Sequence, residues 1–449
     1  MSRVTPLSGF PEWLPEQRIV EQHFLDSIRR TFELNGFASI ETRAVEPLDQ
    51  LLRKGEIDKE VYVLRRLQAA ADEADAGLGL HFDLTVPFAR YVLENAGHLV
   101  FPLRRYQIQK VWRGERPQEG RYREFTQADV DVIDRDTLPF HYEIELPLVI
   151  GEALGALPIP PARIQVNNRK LAEGFYRGVG ASDPAAVLRS VDKLDKIGPG
   201  AVRDLLVSDA GLSAAGADAC LGLAGISSSD ASFADRVKAL GVSDPMLDEG
   251  LDELVRVVEG AAALRPGLVV ADLRIARGLD YYTGTVYETL LAGHEDLGSI
   301  SSGGRYDSLA SDGRTTYPGV GISIGVSRIL GRVLGQRVVE ASRSVPTCVL
   351  VAVTNDDSRP RAMAVASALR ARGIATEVAP SAAKFGKQIR HADRRGIPYV
   401  WFCDDGGDSV KDIRSGEQVA ASAENWLPPD DDVWPTVRPA ASNESNEES

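Results

Sequence analysis

Apolar residues recur every fourth position early in the chain, at Val20, Phe24, Ile28 and Phe32, which places them on one face of a helix over 18–35. Gly36 supplies its C-terminal stop, and a strand is expected over 37–40. The pattern changes between 101 and 133. Residues 103–112 are extended and apolar-rich, 113–123 are charged and contain Gly and Pro, and 124–133 alternate again. The spacing predicts a hairpin whose tip gathers Arg113, Arg116, Arg121 and Arg123. Strands are also expected at 164–167 and 269–275, with helical periodicity and many breaks between them, the mark of a helical insertion. From Cys348 onward strand and helix alternate: strand 348–353, helix 361–372, strand 375–379, helix 384–395, strand 399–403. Such alternation implies a small α/β domain with a largely parallel sheet.

Two clusters on this scaffold carry chemistry. The run Arg277-Gly278-Leu279-Asp280-Tyr281-Tyr282 sets a permanent cation, a tight backbone position and two hydroxyl-bearing rings side by side, and 284–288 then alternates like a strand. Gly303-Gly304-Arg305-Tyr306-Asp307 repeats the combination of glycine, cation and ring. Any one of these residues is common at the end of a half-buried strand, where Arg and Tyr snorkel. Two such clusters in one chain point to a site. Gln127, Asp129 and Asp131 alternate in step on one strand and share a face, and acids there beside arginines are better explained as a site than as a solvated edge.

At 449 residues the chain is long enough for about three domains of ordinary size. A net charge of −14 argues against a general nucleic-acid coat, which neutralises phosphates with Lys and Arg, although a specific RNA enzyme needs only local basic surfaces. Lys384, Lys387, Arg390, Arg394 and Arg395 recur beside Phe385 and His391 on or near one predicted helix. A charge run is most often a solvated face, and this one could also meet RNA. Cys220, Cys348 and Cys403 lie far apart and the histidines form no helix-spaced pair, so neither a disulfide framework nor a resident metal site is expected; a metal would arrive with a phosphate ligand. No apolar run approaches the roughly 18 residues of a membrane span. Residues 1–15 lack the charged-then-apolar order of a secretory leader, and a cytoplasmic protein is expected. Gly386-Lys387-Gln388 lacks the spacing and hydroxyl of a phosphate-binding loop, which removes the simplest ATPase reading.

Together these motifs resemble those of the histidyl-tRNA synthetases, a class II family. The runs at 277–282 and 303–307 resemble its two histidine-signature segments. Arg113-Gly114-Glu115, followed by Arg121, Phe125 and Asp129, is similar to motif 2. Gly321-Ile322-Ser323-Ile324-Gly325-Val326-Ser327-Arg328 is similar to motif 3, with Ser327 where the family usually has glutamate. The helix and strand over 18–40 stand where motif 1 builds a dimer, with Arg43 at the place of a usual proline. The resemblance implies an α+β fold: an antiparallel six-stranded sheet with helices, a helical insertion, and a C-terminal α/β anticodon-binding domain, assembled as a homodimer. The implied domains are 1–168 and 266–340 for the two parts of the catalytic core, 169–265 for the insertion, 345–428 for the anticodon-binding domain and 429–449 for a disordered acidic tail.

The resemblance further implies ATP-dependent ligation of L-histidine to histidine tRNA through histidyl-adenylate, with ATP and Mg²⁺ as cofactors. Arg113 would hold the α-phosphate, Arg121 and Arg328 the pyrophosphate end, and Phe125 the adenine, with Glu115 completing the ATP site. Guanidinium suits phosphate because its donors form a fixed fork. Arg277 would be the catalytic cation opposite Arg113. Asp83 and Thr85 would take the α-amino group of histidine, Asp131 and Tyr282 would read the imidazole nitrogens, and Gln127, Tyr281 and Tyr306 would complete the pocket. Many bacterial relatives have glutamate at the positions of Asp83 and Asp131. Arg116 and Gln118 match the loop that approaches the tRNA acceptor end and its extra 5′ guanosine. Two alternatives share parts of this pattern. A non-enzymatic paralogue that regulates an ATP phosphoribosyltransferase generally lacks the third domain and erodes the catalytic positions, and a synthetase for proline or threonine would share motifs 2 and 3 without the 277–282 run.

Overall fold

The structure, a computed structural model, describes residues 5–52, 60–67, 77–276 and 282–440. The chain divides into two compact units, 1–11 with 25–332, and 12–24 with 333–449. Strands of the first unit are, in chain order, β1 (Ala38–Ser39), β2 (Val45–Pro47), β3 (Leu78–Leu80), β4 (Leu103–Trp112), β5 (Glu124–Ile133), β6 (Ala162–Asn168), β7 (Ser227–Ser228), β8 (Val269–Asp272), β9 (Thr285–Leu291), β10 (Ser301–Ser311) and β11 (Thr316–Gly325). Those of the second are β12 (Val339–Ala341), β13 (Val349–Val351), β14 (Thr376–Val378), β15 (Tyr399–Phe402), β16 (Ser409–Asp412), β17 (Gln418–Ala420) and β18 (Val437–Pro439).

The first unit is built on one sheet in the order β1-β4-β5-β11-β10-β9-β6-β8-β7. Its middle, from β4 to β6, pairs antiparallel at every step and is the six-stranded sheet expected. β1 adds parallel to β4, β8 parallel to β6, and the short β7 antiparallel to β8. The β4–β5 hairpin runs in register from Leu103 opposite Ile133 to Trp112 opposite Glu124, as the alternation predicts. β5 lies inside the sheet with both faces covered, so every residue from Thr126 to Ile133 is buried, polar ones included. Buried polar groups need partners, and this strand therefore sets up the site. The helix Pro15–Leu34 buries Val20, Phe24, Ile28 and Phe32 as its periodicity requires.

The predicted insertion is helical, with segments Arg169–Gly178, Pro184–Val191, Leu194–Ser208, Ala214–Ala224, Phe233–Lys238 and Pro245–Leu264. It packs as part of the first unit. Asn168 caps the first of these helices by accepting the Lys170 and Leu171 N–H groups, and its amide donates to Glu253 at 2.8 Å on the last.

The second unit has a five-stranded sheet, β14-β13-β15-β16-β17, packed under the helices Arg359–Ala371 and Phe385–Arg394. Its first three strands are parallel, and β16 and β17 form an antiparallel hairpin that the sequence pattern did not announce. β17 is exposed along its length and carries no apolar period to read. Residues 429–440, expected in a disordered tail, are ordered: Asp430–Val433 is helical and β18 pairs antiparallel with β12. Polar contacts hold them where apolar side chains are few. The Arg343 guanidinium donates to the Asp432 and Val433 carbonyls at 2.9 and 3.1 Å, and the Tyr399 hydroxyl to the Asp432 carboxylate at 2.7 Å. The same pairing draws β12 into the second unit, so the first unit ends at Arg332 and not at the expected 340. Residues 441–449 of the expected tail lie outside the described residues. Among the described residues no helix is long and apolar enough to cross a membrane.

Candidate active site

A cavity of about 230 Å³ opens where the tip of the β4–β5 hairpin faces the ends of β10 and β11. Arg113, Glu115 and Arg121 line it from the loop, Phe125 and Gln127 from β5, Ser301 and Ser302 from β10, Ser323 from β11, and Arg328 from the helix Val326–Gly335. Arg113 is steered by its Nε donating to the Phe82 carbonyl at 2.9 Å, and its guanidinium lies 5.2 Å from the centroid of the Phe125 ring. Glu115 sits between two cations, 3.9 Å from Arg113 and 3.8 Å from Arg121. Arg328 donates to the Leu297 carbonyl. Three guanidiniums and one carboxylate leave the lining net positive, which suits a polyanion. The loop is closed by a backbone bridge between Gln118 and Arg121, with Gly120 at a φ of 67° between them.

Deeper along β5 the charge reverses. Asp129 and Asp131 are both buried, and Asp83 is buried beside them. Asp131 Oδ2 lies 2.7 Å from Arg105 Nη2, an ion pair enclosed in the sheet, and its Oδ1 accepts the Tyr306 hydroxyl at 2.8 Å. Asp129 accepts the Ser323 hydroxyl, whose oxygen in turn accepts the Gln127 amide at 2.6 Å. Burial pushes Asp129 up to about 7; Arg105 and Ser323 pull it down, and the neighbouring Asp131 and Asp83 push it up. The Tyr282 hydroxyl is raised by burial and by the fields of Asp131, Asp83 and Asp129, which places its ring against the same acids. Asp83 Oδ1 accepts the Val86 N–H at 3.1 Å and so caps the helix Thr85–Asn95, on whose first residue Thr85 stands.

Two glycines of β11 make room for this pair of acid and ring. Gly321 is directly opposite Asp131, and a Cβ there would lie 1.9 Å from its Oδ1. Gly319 is opposite Tyr306, and a Cβ there would fall 2.5 Å from its ring. The glycine-rich run of the sequence thus works here as space for two side chains.

The expected residues fall into these two groups. Arg113, Glu115, Arg121, Phe125, Gln127 and Arg328 share the cavity; Asp83, Asp131, Tyr282 and Tyr306 gather at the acid cluster. Thr85 is beside Asp83 in the chain, with its side chain partly exposed. Arg116 and Gln118 are exposed on the loop, outside the cavity lining. Arg277 and Tyr281 lie outside the described residues. Within the second signature cluster only Tyr306 turns to the acids. Arg305 instead pairs with Glu143 at 2.8 Å and Asp307 at 3.0 Å, and Asp307 accepts the Thr283 hydroxyl at 2.6 Å, a network that ties β10 to the chain leading into β9. Of the basic residues on the helix Phe385–Arg394 and its flanks, Lys384, Lys387, Arg390 and Arg394 are exposed, whereas Arg395 pairs with Glu377. Sequence reasoning missed Arg105 and Ser323 as members of the site. The hairpin register, which sets Arg105 opposite Asp131, was the signal that could have found the first.

Comparison with known proteins follows the same lines. The family model described as histidyl-tRNA synthetase matches residues 9–329, and that described as anticodon binding domain matches 347–427. The chain is 60% identical over 450 residues to a histidine–tRNA ligase of Cutibacterium acnes, covering 97% of this chain and 99% of the relative. It is 62% identical over 454 residues to that of Micrococcus luteus, with the same coverage. Among solved structures, histidyl-tRNA synthetase from Nostoc sp. superposes with a TM-score of 0.84 at 35% identity, covering 94% of this chain and 98% of that one. A Bacillus halodurans protein described as an ATP phosphoribosyltransferase regulatory subunit/histidyl-tRNA synthetase matches at a TM-score of 0.73 and 20% identity, over 89% and 98%, which is a likeness of fold.

Proposed function

The chain belongs to the histidyl-tRNA synthetase family and ligates L-histidine to histidine tRNA with ATP through an adenylate, and we propose that the two halves of the site divide the work as follows. The positive cavity takes ATP: Arg113 holds the α-phosphate, Arg121 and Arg328 the pyrophosphate end, and Phe125 offers adenine the ring face that Arg113 leaves clear. The acid cluster takes histidine: Asp83 and Thr85 bind the α-ammonium, Asp131 and Tyr282 address the imidazole nitrogens, and Gln127, Tyr281 and Tyr306 close the pocket. The observation that carries this reading is the reversal of charge between the two ends of β5, from Arg113, Arg121 and Arg328 around Phe125 and Gln127 to Asp129 and Asp131 with Asp83 beside them.

The first step needs no proton-abstracting group. The substrate carboxylate attacks the α-phosphorus in line and pyrophosphate leaves, so the protein contributes orientation and charge. Arg113 on one side and Arg277 on the other stabilise the negative charge that grows on the α-phosphate oxygens. In the second step the 3′-hydroxyl of the terminal tRNA adenosine attacks the adenylate carbonyl, giving histidyl-tRNA and AMP. Mg²⁺ enters as part of the nucleotide substrate. Among the described residues no group of three or more His, Cys, Asp or Glu could hold a metal, and the one carboxylate lining the cavity, Glu115, fits a minor share in a coordination shell supplied mainly by phosphate and water. Arg116 and Gln118 are positioned on the loop to meet the acceptor end, and the exposed basic face of the helix Phe385–Arg394 is the anticodon surface. A cytoplasmic homodimer, built on the helix and strand near the N-terminus, completes the proposal.

The test is histidine-dependent exchange of labelled pyrophosphate into ATP, with the other amino acids as controls and Arg113→Ala and Arg277→Ala alongside. Exchange with histidine alone, lost in both variants, supports the assignment. Exchange that survives both substitutions would remove these arginines from the mechanism, and no exchange at all would return the chain to the regulatory paralogue.

A further inference from the structure

Arg105, the third residue of β4, is fully buried. Its guanidinium lies 2.7 Å from Asp131 Oδ2 and 4.2 Å above the centroid of the Phe88 ring, with Nη1 donating to Gln107 Oε1 at 3.4 Å. A buried ion pair is a poor way to stabilise a fold, because apolar residues of similar volume usually do as well or better once desolvation is counted. The presence of a guanidinium here is better explained by what it does to its partner.

Asp131 stands in surroundings that favour its neutral form. It is buried, it shares its strand face with Asp129, and Asp83 lies on the same side of the pocket. Facing it are Arg105 and Gln107 from β4, Tyr306 from β10, the open backbone of Gly321 from β11, and the Tyr282 hydroxyl. Of these, Arg105 brings the opposing charge. With Arg105 against Oδ2 and the Tyr306 hydroxyl donating to Oδ1, both oxygens are fixed in direction and their remaining lone pairs can only accept.

We propose that Arg105 is a positioning residue for amino-acid selection: it keeps Asp131 ionised and aimed, so that the pocket takes a ring N–H donor and rejects side chains that have none to give. The inference rests on the reading of Asp131 as an imidazole contact. A carboxylate that could take up a proton would present a donor as readily as an acceptor, and the preference for an N–H over other polar groups would be lost. Arg105 touches no substrate in this scheme and acts through Asp131.

The test is a double-mutant cycle on the full-length chain, read by pyrophosphate exchange with the Michaelis constants for histidine and for ATP measured separately. Asp131→Asn comes first and is expected to raise the histidine KM by about tenfold or more, the equivalent of one pKa unit. An unchanged value would sink the role of Asp131, and the inference with it. Given that rise, Arg105→Met is expected to raise the histidine KM by a similar factor with the ATP KM within about twofold, yet to add less than about twofold in the Asp131→Asn background. The ratio of mutant to natural KM should fall as pH rises, since Asp131 regains its charge, and taking the ratio removes the titration of free histidine. Arg105→Lys keeps the charge and should restore part of the loss. Should Arg105→Met alone fail to fold, the Met–Asn double variant leaves neither member of the Arg105–Asp131 pair charged without its partner, and its comparison with Asp131→Asn decides the matter. A histidine KM raised by Arg105→Met as much in the Asn background as in the natural chain, or not raised at all, overturns the proposal.

Discussion

The Ser327 hydroxyl oxygen accepts the backbone N–H of Thr126 at 2.9 Å, joining the first turn of the helix that carries Arg328 to the strand that carries Phe125 and Gln127. Ser327 is buried, and the N–H it satisfies is buried with it. Ser327 therefore has a structural task in this chain. Ser327→Ala strands that donor and is expected to cost about 1–3 kcal/mol, the ordinary penalty of an unmade buried hydrogen bond. Denaturant unfolding measures it, and a loss below about 0.5 kcal/mol would mean that the strand finds another acceptor.

Gly321→Ala tests the space between β11 and β5. A Cβ placed 1.9 Å from Asp131 Oδ1 cannot be accommodated without moving the carboxylate or the strand. The expected outcome is a histidine KM raised by about an order of magnitude with a smaller change for ATP, because the positive cavity lies farther along the strand. Equal losses for both substrates would show that the strand itself had shifted.

Much of this was legible in the sequence because the hairpin is long and its two extended strands are set apart by a charged tip with Gly and Pro. The bounds of β4 and β5 follow from pattern alone, and with them the shared face of Gln127, Asp129 and Asp131. What pattern could not give was the partner strand. Arg105 enters the site only through register, and Ser323 only because β11 lies against β5, a neighbour nearly two hundred positions away in the chain. Arg305 and Asp307 misled for the opposite reason: they have the chemistry of a site but point to Glu143 and Thr283, on the face away from Tyr306. In the second unit the short, exposed β17 and the polar-held β18 carry no apolar period, so neither could be read.

Stability should depend on pH through Asp129. Its carboxyl is pushed up to about 7 by burial, whereas an unfolded aspartate titrates near about 4. Between those values the folded chain holds the proton that the unfolded chain has released, so this group's contribution to stability falls as pH rises through the window. Asp129→Asn removes the titration. The melting temperature of the Asn variant relative to the natural chain is expected to climb from about pH 4.5 to about pH 7.5. His81, whose pKa is lowered by burial, titrates in both proteins and cancels in the difference. A difference independent of pH would mean that Asp129 ionises normally in the fold.

Arg332 clamps the tip of the motif 2 loop from the side. Its Nε lies 3.0 Å from Glu119, and its two terminal nitrogens donate to Asp296 at 3.1 and 2.7 Å. Arg332→Met frees both acids and should loosen the segment that displays Arg116 and Gln118. Under native conditions trypsin is expected to cut after Arg121, in the same loop, roughly threefold faster or more in the variant, since cleavage follows the population of locally opened loop. Cleavage at the natural rate would show that the backbone bridge between Gln118 and Arg121 holds the loop without help.

Gln388 offers a way to separate the two units functionally. Buried in the helix Phe385–Arg394, it accepts the Val353 N–H at 2.9 Å and donates to the Val353 and Ala383 carbonyls at 2.9 and 2.6 Å, standing in for a neighbouring strand. It thereby fixes the helix on which Lys387, Arg390 and Arg394 are displayed. Gln388→Leu is close in volume but leaves the Val353 N–H and the Ala383 carbonyl unpaired, the Val353 carbonyl keeping the Ala383 N–H at 3.1 Å, so the helix must tilt or the loop after β13 must open to water. In the proposed division of the site the groups for the adenylate step all belong to the first unit, so pyrophosphate exchange should hold within about twofold, the scatter expected of a site with no altered contact. The KM for tRNA in the full charging reaction should rise by about tenfold, a loss of roughly 1.4 kcal/mol in the binding of the second substrate. A tRNA KM unchanged in a variant whose second unit melts earlier would take the basic helix face out of RNA recognition. Loss of exchange and charging together would instead mean that the two units fold as one.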